Sequence, residues 1–468
     1  MPAMKSKTPA ERANVSGLGF FFSPKRVAII GASRTQGKVG YVVLENFAKN
    51  GFPGKIFPVN PEAEEILGIK CYKSLREVKE RVELAVICVP AKFVLKVLED
   101  CARKSVPAVI IVTAGFAETG NKAETEKLRK FISSHKKMRV IGPNCLGVLA
   151  AKTKVDTLFL PIDRLGRPKE GGISFVSQSG ALGSAILDWA AMQGFGIAKF
   201  VSYGNAMDVD ESDLLEFLDN DEETKVIALY IEGVGNGRKF FEALRHTGKR
   251  KPVIVIKGGT TSEGGKAVGS HTGSLAGSNE VYETLFRQTN AIRAETMQEV
   301  FDFSRVLELE PKMKGKKIQI ITNGGGYGVL CTDAAIGAGL ELAKMNEKSK
   351  SAIRKACPDY AIIANPIDLT GDATSERYAI ALAEAMNSRE VDAIILVTLF
   401  QTPLLDESII TIVREANEKK TKPLLVLSVG GSYCQKMNSL LAKENVNVFE
   451  SPVEIALALK KLRQFSGK

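Results

Sequence analysis

Apolar and polar positions follow one repeated unit along the chain: a strand-length apolar run, a glycine-containing turn, then a stretch of helical period. The first unit opens at VAIIGAS (Val27 to Ser33), and strand-like runs follow at KIFPVNP, LAVICVP, AVIIVTAG and RVIGPN. Stretches such as PAKFVLKVLEDCARKS, with apolar residues at helical spacing, separate them. Continuous apolar runs of this length suit strands buried on both faces. The pattern therefore predicts a doubly wound parallel α/β domain over residues 1–150.

The unit then recurs. GGISFVSQSG (Gly171 to Gly180) starts a second segment, continued by IAKFVSYG, VIALYIEG and KPVIVIKGG. A long glycine-rich stretch, Gly258 to Gly277, interrupts it and reads as a flexible loop. A helical pattern closes the segment, giving a second domain over 151–310. After the short basic linker Pro311 to Lys317, KIQIITNGGGYGVL restarts the pattern, with VDAIILVTLF, KPLLVLSVGG and VNVFES after it. The third domain spans 311–468. The fold class is thus α/β, as three consecutive doubly wound parallel-sheet domains, with ligands expected beyond the carboxyl ends of the strands.

Composition narrows the function classes. The 468 residues are 44% apolar and 25% charged, ordinary for a globular protein. No apolar run reaches the length of a bilayer span, and MPAMKSKTPAERANVSG lacks the apolar stretch of a secretory signal. A cytoplasmic protein without membrane contact is the expectation. Lys and Arg outnumber Asp and Glu by 64 to 53, for a net charge of +11. The basic residues are scattered, without the stripe or aromatic-interleaved patch of a nucleic-acid binder, and the excess suits anionic small ligands or a plain solvated surface. Seven Cys with no C-x-x-C pair read as reduced thiols. Three His and no His/Cys cluster make a metal site unexpected.

Four loops carry candidate chemistry. In GASRTQGKVG, the glycines Gly31, Gly37 and Gly40 allow a tight turn and a close approach to phosphate. Ser33 stands where a dinucleotide fingerprint has its second glycine. The second strand ends in Val59, Asn60 and Pro61 instead of an acid. A general nucleotide loop or a ligand-free turn fits; a nicotinamide site does not. In SQSG, Ser177 or Ser179 can cap the following helix, whose free N–H groups suit a phosphoryl group; an ordinary N-cap is the alternative. NGGGYG (Asn323 to Gly328) reads first as a tight turn. His271, in SHTGSLAG, sits among small residues and not on an apolar periodic face. It suits a base, a ligand or a nucleophile, or a plain loop histidine, and a nucleophile carrying phosphate pairs best with SQSG. Such an imidazole needs an acceptor on its far nitrogen. Glu232, at the end of the strand VIALYIEG, is the best-placed acid, with Asp208, Asp210 and Glu211 behind it. His135 and His246, in basic stretches, read as surface residues.

Taken together and in this order, the motifs resemble the α subunit of the ADP-forming acyl-CoA synthetases, relatives of succinyl-CoA synthetase, over essentially the whole chain. GASRTQGKVG, PVNP, CVPA, IVTAGFAE and IGPNCLGV are similar to that family's CoA-binding, Rossmann-like domain. FVSQSGALG, SYGNAMDVD, YIEG and SHTGSLAG are similar to its second domain, and ITNGGGYGVL with NPIDLTGDA to its third, both flavodoxin-like. The resemblance implies the reversible reaction acyl-CoA + ADP + phosphate = acid + CoA + ATP. It implies His271 as phosphohistidine, Glu232 as the carboxylate orienting it, and Ser177, Gln178, Ser179 and Gly180 as the phosphoryl-binding helix start. For CoA it implies Gly31, Ser33, Arg34, Thr35, Gln36, Gly37, Lys38 and Asn60, with Val89, Pro90, Val112, Thr113 and Ala114 as walls. Two departures stand out. Glu62 and Ala63 replace a CoA-holding Lys of the succinate branch, leaving that contact to Arg34 or Lys38. The sequence Ala181, Leu182, Gly183, Ser184 replaces a stretch with a Tyr implicated at the substrate, which points to a small uncharged acid such as acetate. No Walker-type loop or ATP-grasp segment is present, so the resemblance implies Mg²⁺ and ADP/ATP on a separate ATP-grasp β subunit. The competing class is a CoA- or nucleotide-binding regulatory protein without ligase activity.

Overall fold

The computed structural model describes residues 17–272 and 278–467, with 269–272 as backbone only. The chain divides into two compact units, one ending at Glu295 and the other beginning at Thr296.

The first unit holds two large sheets and a small hairpin, Glu65–Ile66 with Ile69–Lys70. Strands β1 (Arg26–Ile30), β2 (Lys55–Val59), β3 (Leu84–Ile87), β4 (Ala108–Ile111) and β5 (Arg139–Ile141) form one, in the order β2-β1-β3-β4-β5. All its neighbours are parallel. Its central runs, LAVI and AVII, are buried throughout because helices cover both faces. The helix Ala91–Arg103 buries Val94, Leu98 and Cys101, spaced four and three apart, and leaves its charges outside.

The second sheet comprises β6 (Gly147–Ala150), β7 (Val155–Asp156), β8 (Lys169–Ser177), β9 (Gly196–Ser202), β10 (Val226–Ile231), β11 (Val253–Lys257) and β12 (Ile292–Ala294). Its order is β12-β11-β10-β8-β9-β6-β7. Strands β8 to β12 are parallel, whereas β6 and β7 add an antiparallel edge. Each sheet reverses its winding at its first parallel strand, between β1 and β3 and between β8 and β10. Crevices open at such reversals, beyond the carboxyl ends of the strands.

One hydrophobic core runs through both sheets. Leu18, Phe21, Val43 and Phe47 share a cluster with Val148, Leu214, Phe217 and Phe240. Phe22 stacks on Phe217 with ring centroids 5.0 Å apart. A polar seam lies beside it. Arg139 in β5 pairs with Asp208 at 3.0 Å and Asp213 at 2.8 Å, and Lys239 pairs with Asp210 and Asp213.

The second unit holds β13 (Lys317–Thr322), β14 (Glu341–Leu342), β15 (Ile362–Ile363), β16 (Ile367–Asp368), β17 (Ala393–Val397), β18 (Leu424–Leu427) and β19 (Asn447–Phe449). The order is β15-β16-β13-β17-β18-β19, with β14 also on β13. β14 and β16 occupy the same side of β13 end to end, at Lys317–Ile318 and Ile321–Thr322. The helix Met297–Leu309, read from sequence as the close of the second segment, packs in this unit. Its Arg305 donates to the carbonyl of Val448 in β19 at 3.1 Å.

The stretch read as a long glycine-rich loop contains a helix, Ser262–Thr272, and His271 lies in its last turn. Thr261 starts that helix: its hydroxyl accepts from the Gly264 N–H at 3.0 Å, and its carbonyl from the Gly265 N–H at 2.8 Å. Three glycines, Gly264, Gly265 and Gly269, hide this helix from propensity, but capping and context override it. Among the described residues, no helix is long and apolar enough to cross a membrane.

Candidate active site

The loop after β1 opens at Gly31, beside the end of β3. Gly31 has φ +90°, and a Cβ there would come within 2.9 Å of the Cys88 carbonyl carbon and of Val89. Only glycine fits. Asn60 Nδ2 donates to the Ala32 carbonyl at 2.7 Å, and the Ser33 hydroxyl accepts from the Thr35 N–H at 3.0 Å. Asn60 thus shapes the loop from the end of β2. Arg34, Thr35, Gln36, Gly37 and Lys38 are exposed, free to meet an anion. At the ends of β3 and β4, the Thr113 hydroxyl donates to the Val89 carbonyl at 2.7 Å.

In the second sheet, the neighbouring ends of β8 and β10 are tied together. Gln178 Oε1 accepts from the N–H groups of Glu232 at 2.7 Å and Gly233 at 3.2 Å. The buried Ser177 hydroxyl donates to the Ser179 carbonyl at 2.6 Å, so it shapes the turn. Ser179 is the N-cap of the helix Gly180–Met192 and accepts from the Leu182 N–H at 3.4 Å. The N–H groups of this helix start are therefore presented beyond the strand ends, with the dipole favouring negative charge.

Glu232 is buried at the end of β10. Its Oε1 accepts from the Tyr230 hydroxyl at 3.1 Å, and its main-chain carbonyl accepts from Lys257 Nζ at 2.7 Å. Burial, then the Glu232 charge, push the Tyr230 phenol well above its ordinary range. Burial pulls the Lys257 ammonium down, and Glu232 opposes it. The side chain of His271 lies outside the described residues, as do residues 273–277 of the SHTGSLAG loop.

A cavity of about 760 Å³ joins the two halves. Val89, Pro90, Val112, Thr113 and Ala114 line it from the first sheet; Gln178, Ser179 and Gly180 line it from the second. Gln178 thus touches the cavity and holds Glu232 at once. Gly31, the 33–38 loop, Asn60, Ser177 and Glu232 itself are not among the lining residues. Sequence reasoning missed Asn144, Leu146, Phe159, Leu160 and Asn205, which also line it. Asn144 and Asn205 lie inside IGPNCLGV and SYGNAMDVD, where the polar residue in an apolar turn was the available signal. Asn205 Nδ2 donates to Glu118 at 2.6 Å, and Glu118 accepts from the N–H groups of Gly115 and Phe116, tying the IVTAGFAE turn to the second sheet.

The weaker candidates serve elsewhere. Asp208 and Asp210 belong to the seam, Asp210 also capping the helix Glu211–Asp219, and Glu211 is buried there. His246 is exposed beside Asp219 at 3.1 Å. His135 is half-buried, not open surface, because its ring stacks on Phe131 at 4.1 Å.

Residues 25–151 match the family described as CoA binding domain, 170–307 that described as succinyl-CoA ligase like flavodoxin domain, and 318–463 that described as Ligase-CoA domain. The chain is 41% identical to acetate–CoA ligase [ADP-forming] I subunit alpha of Pyrococcus furiosus, covering 95% of this chain and 97% of that one. It is also 41% identical to an acetate–CoA ligase [ADP-forming] of Methanocaldococcus jannaschii, over 96% of this chain but 63% of that longer one. Among solved structures, the dinucleotide forming acetyl-coenzyme A synthetase 1 of Ca. Korarchaeum cryptofilum, in complex with phosphate and ADP, superposes with a TM-score of 0.90 at 37% identity, covering 96% of each chain. With this identity maintained along three matched domains, the chain belongs to the family of ADP-forming acetate–CoA ligase α subunits.

Proposed function

We propose that the chain is the CoA-binding and phosphoryl-carrying subunit of an ADP-forming acyl-CoA synthetase, interconverting acyl-CoA, ADP and phosphate with acid, CoA and ATP. The observation that carries the reading is the shared cavity. A thioester held by the walls of the first sheet meets the helix start of the second within one cavity. In this reading residues 1–150 bind CoA, 151–310 carry His271, and 311–468 complete the subunit. Phosphate oxygen attacks the thioester carbonyl; the C–S bond breaks, CoA leaves as thiolate and an acyl phosphate remains. A ring nitrogen of His271 then attacks phosphorus, the P–O bond to the acyl group breaks, and the acid leaves. Attack of an ADP phosphate oxygen on the phosphohistidine breaks the P–N bond and forms ATP. Relay through a covalent carrier divides one difficult transfer into easier ones.

Ser179, Gly180 and the N–H groups behind them hold the phosphoryl group; Glu232 orients the imidazole and stabilises its charged form. ADP and Mg²⁺ belong on a partner of ATP-grasp type, which fits the greater length of the Methanocaldococcus jannaschii relative. A cytoplasmic setting fits seven cysteines that are all unpaired. The test is labelling from acyl-CoA and radioactive phosphate. His271→Asn is expected to abolish both label and turnover while CoA still binds. Substantial ATP synthesis by this variant, or by the wild-type chain free of any partner, would sink the proposal.

A further inference from the structure

The strap between β7 and β8, residues 157–168, carries two large apolar side chains that the core does not fully bury: Phe159 packs against the core with part of its surface, and Leu160 follows it. Leu158 and Leu165 are buried, but Phe159 and Leu160 between them are half-buried and line the cavity. The strap has no regular structure, yet its carbonyls are fixed from both sides. Asn46 Nδ2 donates to the carbonyls of Leu158 at 2.7 Å and Leu160 at 3.1 Å. Arg167 Nη2 donates to the Leu160 carbonyl at 2.8 Å, and Arg167 Nε to the fully buried Asp156 at 2.7 Å. Asn46 is buried on the helix Val39–Lys49, which starts at the cavity with Val39. The two apolar side chains are therefore held in place by both halves of the unit. Val89, Pro90 and Thr113 line the same cavity, as do Ala181 and Ser184 of the helix Gly180–Met192. Among the described residues, none that lines the cavity is charged.

Apolar surface held open on a rigid support is stabilised by whatever apolar group covers it. Resting on the ligase reading, we propose that Phe159 and Leu160 form the wall against which the acyl group packs, and so determine which uncharged carboxylic acids are accepted, with Asn46 and Arg167 as positioning residues. Among the described lining residues, a second carboxylate on the acid would meet no cation, and it would lose hydration against the apolar wall.

The test is equilibrium binding to the full chain of free CoA, acetyl-CoA and phenylacetyl-CoA. Phe159→Ala is expected to shift the affinity ratio about tenfold toward phenylacetyl-CoA, the effect of a methylene or two in an apolar pocket, with free CoA changed less than about twofold. Leu160→Ala is expected to shift it in the same sense. Phe159→Leu keeps an apolar wall and should give a smaller shift, which covers an alanine variant that does not fold. Asn46→Ala, outside the lining, is expected to move the ratio as well; a lower melting temperature with an unchanged ratio overturns its positioning role. A constant ratio accompanied by weaker CoA binding overturns the wall, because the side chains would then cover the CoA tail. Failure of the wild-type chain to bind CoA at all overturns the ligase reading and the wall with it.

Discussion

Gln178 is hydrogen-bonded in two directions across the second sheet: its N–H donates to Tyr230, and its side-chain oxygen accepts from Glu232 and Gly233. Gln178→Leu leaves those N–H groups unpaired at a buried site, and is expected to cost about 1–3 kcal/mol in a denaturant titration, whereas Gln178→Glu, which keeps an acceptor, should retain most of it. His271 labelling should slow with the same substitution. Glu211 gives a pH signature. Burial pushes its carboxyl up to about 7 from an ordinary 4.5, with Asp210 adding to the effect and Lys239 opposing it. Between those values the folded state keeps a proton that the unfolded state has lost. The group's contribution to stability therefore falls as pH rises through that window and stays low above it. Glu211→Gln is expected to be more stable than the wild type at pH 8 in a denaturant titration, by up to about 3 kcal/mol, with the gap closing toward pH 5; an equal gap at both pH values refutes the assignment. SQSG and Glu232 were legible in the sequence because their neighbours announce a strand end. The bond between them was not, since Gln178 and Glu232 are 54 residues apart.

Strands were the most legible elements, because runs such as LAVI and AIILV are continuously apolar and buried on both faces. The strap at 157–168 has no period and no motif, so nothing in its sequence set it apart from a linker. Its shape depends on a buried ion pair. Removing Arg167 leaves Asp156 charged in the core, so Arg167→Ala is expected to cost about 3–5 kcal/mol in a denaturant titration. Replacing both partners with leucine should recover much of that loss, and a double variant as unstable as the single one would show that the pair acts in another way. The helix Ser262–Thr272 was hidden for a different reason: glycine content masks helical propensity, while the Thr261 cap that favours it is a local detail.

At the scale of the molecule, a ligand that binds only the folded state must stabilise it. CoA at a hundred times its Kd is expected to raise stability by about 2.7 kcal/mol, seen as a higher melting temperature, with no comparable effect of NAD. A shift with NAD alone would favour the oxidoreductase class that the missing acid at Asn60 argues against. The threefold repeat of the pattern was legible from end to end; the grouping of its sheets was not, because it depends on which side chains share an interior. The first two sheets share a core, into which Phe21 and Phe22 insert from outside both, while a second cluster covers the other face of the first sheet. Cooperativity follows contacts, not sequence repeats. A calorimeter should therefore record two heat-absorption peaks for three sheets, the first two sheets melting as one. The apolar faces that meet in that common interior would be left bare if the chain were cut near residue 150, and each half would be expected to aggregate.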